Sequence, residues 1–149
     1  MKKNILLLAL TAMLPLTACD YGPKSSVGFS LPDGDIAVGQ ENFLKFKCND
    51  CHSVGGRDEL RAGMTPMMTV PLGGMTPRIA TYGQLVTSII NPSHNISQKY
   101  KVTPFVENDQ SKMRNYNDVM TVQELIDTVA FLQSQYELKS FPQTHYMAY

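Results

Sequence analysis

The sequence predicts a mostly helical, all-α domain with long loops, and three observations lead there. Apolar residues recur at helical spacing in separate windows on either side of a middle stretch rich in Gly and Pro. Neither a strand-like alternation nor an internal repeat is convincing anywhere in the chain. The 149 residues, 43% hydrophobic and 17% charged, suffice for one core and match neither a disordered chain nor a multi-span membrane protein.

The first eighteen residues stand apart. Lys2 and Lys3 precede an apolar run from Ile5 to Leu16, too short for a permanent bilayer span and typical of a secretory signal. It ends in Leu16-Thr17-Ala18-Cys19, which resembles the lipobox of bacterial lipoproteins, where the cysteine is acylated and becomes the first mature residue. Ordinary cleavage after Ala18 is the alternative, and it leaves a free thiol exposed in an exported protein. Several acyl chains on Cys19 would hold the chain at a membrane, whereas a single chain binds only marginally. Asp20 resembles the signal that keeps Gram-negative lipoproteins at the inner membrane. Loss of residues 1–18 removes Lys2 and Lys3 from 13 basic and 13 acidic residues, leaving a formal charge of −2 and no case for nucleic acid.

Residues 19–34 follow as an anchored linker rich in Gly, Ser and Pro, with an end-to-end reach of roughly 20 Å as a flexible coil. The domain proper spans residues 35–138, and residues 139–149 form an aromatic tail. Asp35 is a plausible N-cap for a helix carrying Ile36, Phe43 and Phe46 toward the cysteines. Residues 53–80 read as loop, because Gly55-Gly56, Gly63, Pro66, Pro71, Gly73-Gly74 and Pro77 break any period. Tyr82, Leu85, Val86, Ile89 and Ile90 restore helical spacing until Asn91-Pro92 ends it. A last helix starts at the capping box Thr121-Val-Gln-Glu124 and buries Leu125, Ile126, Val129 and Leu132.

Two interior cysteines and a histidine fall within five residues, Cys48-Asn-Asp-Cys51-His52, the attachment signature for c-type haem. The two thiols add to the two haem vinyl groups as thioethers, and the neighbouring His52 reaches the iron. A thioredoxin-like pair needs a strand before CxxC, and a zinc site needs more ligands than His52, His94 and His145 supply. A Cys48–Cys51 disulfide leaves His52 unexplained.

From residues 35 to 138 the chain resembles the class I, monohaem c-type cytochromes in a bacterial lipoprotein form. Gly39 and Phe43 match the Gly-xxx-aromatic pattern of that family's N-terminal helix, and Val129-Ala130-Phe131-Leu132 looks like its C-terminal helix. The resemblance implies a cytochrome c-like helical fold around one covalent haem c, with Gly39, Phe43 and Phe131 at the crossing of the two helices. It also implies a methionine as distal iron ligand in the loop before the last helix. Met113 stands at the family's Met-Pro-x-aromatic position, with Tyr116 as the aromatic but Arg114 in place of proline. Met120, next to the cap at Thr121, is the alternative, and His94 offers a bis-histidine one, although a solvent-facing loop position suits it better. The Met-rich stretch Met64 to Met75 could bind Cu(I) through thioethers, but such methionines more often fill gaps, here around a haem rim.

Imidazole opposite thioether favours reduced iron and closes the metal to substrates, which suits an electron carrier rather than an enzyme. The expected role is a lipid-anchored carrier on the periplasmic face of the inner membrane, between a quinol-oxidising complex and a terminal oxidase or reductase. A dedicated cytochrome subunit of one oxidoreductase stays open beside it, as does, less favoured, a gas-binding or sensory haem protein. A peroxidase lacks a visible distal acid-base pair. Lys45, Lys47, Lys112 and Arg114 flank the expected ligands and suggest docking to an acidic patch on a redox partner.

Overall fold

The computed structural model describes residues 29–140. The chain divides into two units, Met1–Leu31 and Pro32–Tyr149, and all the helices and strands described belong to the second. The expected signal segment 1–18, the acylation site Cys19 and the tail beyond Ser140 lie outside the described residues. Among those described, no helix is long and apolar enough to cross a membrane.

Helix α1 (Ile36–Lys45) starts where expected, because the Asp35 carboxylate accepts from the backbone N–H groups of Ala37 and Val38 at 2.8 and 3.0 Å. The Asp35 N–H in turn donates to Asp127 Oδ1 at 2.9 Å on the last helix, α3 (Val122–Ser134). Asp127 is buried, and its Oδ1 also accepts from Gln123 Nε2 at 2.9 Å. The two helices meet at Gly39, where a Cβ would lie 1.9 Å from the Asp127 carbonyl oxygen. No side chain fits there, so glycine allows backbone to pack on backbone. Beside it Phe43 and Phe131, both fully buried, stack at a tilt with ring centroids 5.7 Å apart. Gly39, Phe43 and Phe131 thus converge.

The capping box at Thr121 and Glu124 forms in both directions, and Ile126, Val129, Phe131 and Leu132 are buried behind it. Leu125 is only half-buried, and Ile36 of α1 faces solvent, contrary to expectation. The middle helix α2 (Tyr82–Ile90) carries a second capping box, Thr81 with Gln84, and contributes Leu85, Val86 and Ile89 to the core. It ends at Asn91, before Pro92, as Asn91-Pro92 requires.

The all-α expectation is overturned: the chain is mixed α/β. Among the described residues, six short strands form three two-stranded sheets. β1 (His52–Val54) pairs in parallel with β2 (Val70–Leu72), and β3 (Gly74–Thr76) in parallel with β6 (Tyr136–Leu138). β4 (Val106–Glu107) and β5 (Gln110–Ser111) form an antiparallel hairpin. Its two-residue turn, Asn108-Asp109, has φ of 49° and 60°, as a type I′ turn requires. Three residues are too few for an alternating pattern to emerge, and each parallel pair joins segments distant in sequence. The glycines read as loop breakers serve these pairings instead: a Cβ on Gly55 would lie 2.7 Å from Gly74 Cα. Gly74, with φ of 75°, donates its N–H to the Gln135 carbonyl at the end of α3.

Candidate functional site

Helix α1 closes just before the cysteine pair. The N–H groups of Phe46 and Lys47 donate back to the carbonyls of Asn42 and Leu44, both at 2.9 Å, and Lys47 takes a left-handed conformation at φ 56°. The chain then makes one tight 3-10 turn, Cys48–Asp50, closed by Cys51 N–H to the Cys48 carbonyl at 3.2 Å, and enters β1 at His52. Both thiols are free, and Cys48, Cys51 and His52 all line one cavity of about 460 Å³. A second cavity, about 180 Å³, shares Cys48, His52, Leu72, Ser88, Met113 and Tyr116 with it and is also lined by core residues such as Phe43, Leu85 and Leu132. The first falls within the roughly 300–1,000 Å³ range of cofactor sites.

His52 is held in one orientation. Its Nδ1 lies 3.1 Å from the Val70 carbonyl oxygen, and the Nδ1–H tautomer that donates there leaves Nε2 with a free lone pair. Burial pushes the ring's pKa below the usual histidine value; the Val70 carbonyl opposes this and the Arg61 cation adds to it. The imidazole is therefore neutral at neutral pH, as a metal ligand must be. Burial also pushes the Cys48 thiol up to about 11, a backbone hydrogen bond opposing, with Asp50 and Cys51 adding to the rise. A thiol so hard to ionise is unlike the low-pKa nucleophile of a thioredoxin-like pair.

Met113 reaches the same cavities from the far side of the sequence. Its N–H donates to Ser111 Oγ at 3.2 Å, and the Ser111 N–H donates to Ser93 Oγ at 3.1 Å. The β4–β5 hairpin and the Asn91-Pro92-Ser93 turn together fix its approach. Tyr116 ties this segment to the end of α1: its hydroxyl donates to the Phe46 carbonyl at 3.0 Å, and its ring packs edge-on against Phe46. Met120 lines only the smaller cavity, and His94 is exposed and lines neither. His145 lies outside the described residues.

No family model, curated protein or solved structure matches this chain.

The Met-rich stretch disperses. Met68 lines the larger cavity, Met64 Sδ accepts from Asn49 Nδ2 at 3.5 Å, and Met67 is 96% exposed. These are separate environments, not one thioether cluster. Of the four basic residues, Lys47, Lys112 and Arg114 line the larger cavity, with Asp50 the sole acidic residue in its wall among the described residues. Lys45 is not among them: it pairs with Glu124, whose pKa that hydrogen bond and the Thr121 cap hold down at about 2. Lys112 lies 3.4 Å from Glu107, and the Arg114 guanidinium sits over the Tyr116 ring.

The sequence did not point to Val70, Ser93, Ser111 or Arg61. Three of them act through side-chain contacts across sequence gaps and Val70 through a carbonyl oxygen, which no residue type advertises. The Asn108-Asp109 turn was the one local signal available for the hairpin that carries Met113.

Proposed function

We propose that this chain is a monohaem c-type cytochrome that carries single electrons between respiratory redox partners. The observation that carries the reading is the convergence of Cys48, Cys51, His52 and Met113 on one cavity, with His52 Nδ1 held by the Val70 carbonyl. The donor set fits haem c: two free thiols and a neutral imidazole within five residues, a thioether on a separate segment, and largely apolar walls between. Cys48 and Cys51 would hold the haem as two thioethers, each by addition of its S–H to a vinyl group. His52 would hold the iron through Nε2 and Met113 through its sulfur. When bound, the haem supplies a one-electron iron(III)/iron(II) couple. Phe46, Leu72 and Tyr116 then exclude water, which favours the less charged, reduced state.

The larger cavity's wall, with Lys47, Lys112 and Arg114 beside Asp50, and Lys112 paired to Glu107, supports docking of an acidic surface on a partner. The partners proposed are a quinol-oxidising complex as donor and a terminal oxidase or reductase as acceptor. Acylated Cys19 would keep the domain on the periplasmic face of the inner membrane.

The test is to export the full chain in bacteria equipped for haem attachment and weigh the purified protein. A mass increased by one haem, resistant to acid-acetone extraction and lost in Cys48→Ser/Cys51→Ser, is expected. A wild-type chain that emerges without haem overturns the reading.

A further inference from the structure

Arg61 closes the short 3-10 turn Asp58–Arg61, and its guanidinium spans the two segments that meet at His52. Nη2 lies 3.4 Å from the Asp50 carbonyl oxygen, two residues before His52, and Nη1 donates to Thr69 Oγ1 at 3.2 Å, one residue before Val70. His52 and Val70 are register partners in β1–β2, and the Val70 carbonyl accepts the His52 Nδ1–H. One rigid fork therefore brackets the ligand and the group that orients it. Arg61 Nε is buried without a protein partner, and none of the ion pairs among the described residues involves Arg61. Its charge is left uncompensated by any carboxylate there. A fixed cation beside an imidazole opposes added positive charge on that ring and, by the same sign, on a metal the ring ligates.

We infer that Arg61 is a positioning residue for His52, holding its Nδ1–H on the Val70 carbonyl and, through its uncompensated charge, raising the reduction potential of the iron that His52 ligates. This rests on the haem reading above.

Arg61→Gln keeps side-chain donors but removes the charge, so it separates the two roles. In holoprotein at fixed poise it is expected to shift the oxidised-to-reduced ratio several-fold toward oxidised, with haem content unchanged. Haem-loaded Arg61→Gln with wild-type potential overturns the inference alone; wild type without haem overturns the haem reading and the inference with it. Should Arg61→Gln fail to take up haem, Arg61→Lys carries the test. It keeps the charge and loses the fork, so the His52 Nδ1–H proton of the reduced protein should exchange with solvent several-fold faster by NMR. An exchange rate equal to wild type overturns the positioning role.

Discussion

Replacing Gly39 by alanine tests the helix crossing on which the site is built. The added Cβ would sit 1.9 Å from the Asp127 carbonyl oxygen, 2.5 Å from its carbon and 2.8 Å from Phe131 Cβ, whereas ordinary contact begins at 3.4 Å. Two of those three atoms are backbone, so no rotamer change relieves the clash, and α1 and α3 must move apart by about 1.5 Å, the difference between 1.9 and 3.4 Å. That displacement loosens the Phe43–Phe131 contact and stretches the 2.9 Å bond from the Asp35 N–H to the Asp127 carboxylate beyond hydrogen-bonding range. Overpacking costs roughly 1–3 kcal/mol and losing a hydrogen bond to a charged group about 1.5–3 kcal/mol. The expected loss is about 3–5 kcal/mol, a large part of a domain's roughly 5–15 kcal/mol. Gly83→Ala is the control: a Cβ on Gly83 meets nothing within 4 Å, and this helical position should gain roughly 0.5–1 kcal/mol. Urea unfolding of both variants beside wild type measures the difference. Gly39→Ala within about 1 kcal/mol of wild type would refute the close crossing.

Lys47 holds a left-handed conformation at φ 56°, which costs a residue with a Cβ about 1–2 kcal/mol, so Lys47→Gly should raise the urea midpoint even though it removes a charge from the cavity wall. Glu124 is held near pKa 2, below its ordinary 4.5, so its contribution to stability is present above pH 4.5 and lost as pH falls toward 2. Thermal melts of wild type should therefore fall more steeply across that window than those of Glu124→Gln, less so in high salt; parallel curves would contradict the pairing with Lys45. Electron transfer to an acidic redox partner should slow as ionic strength rises, and Lys47→Glu/Arg114→Glu should flatten that dependence. A rate indifferent to salt in wild type removes the docking role of this wall.

What was legible in the sequence is what neighbouring residues decide. Cys48, Cys51 and His52 declare themselves by spacing, the Thr121–Glu124 cap by a four-residue pattern, and the pairing of Gly39 and Phe43 with Phe131 by the family resemblance. In the structure Cys48, Cys51 and His52 line one cavity, the cap forms, and Gly39 and Phe43 pack on Phe131. The strands were hidden because none exceeds three residues, and Gly55, Gly73 and Gly74 look like breakers until their partners across the chain are known. Ile36 misled because apolar character at a helix start carries no information about which side the neighbouring helix covers. The support for His52 and Met113 was illegible for a related reason: Val70 acts through its carbonyl, while Ser93 and Arg61 find their partners 18 and 11 or fewer residues away.

The most direct measurement is the optical spectrum of oxidised holoprotein, wild type beside Met113→Ala, in the near-infrared region where a methionine–iron(III) bond gives a weak band. The expected result is a band in wild type that vanishes on substitution, since Met113 lines both cavities with His52. A wild type without the band, or a mutant that keeps it, would contradict Met113 as the ligand that closes the iron.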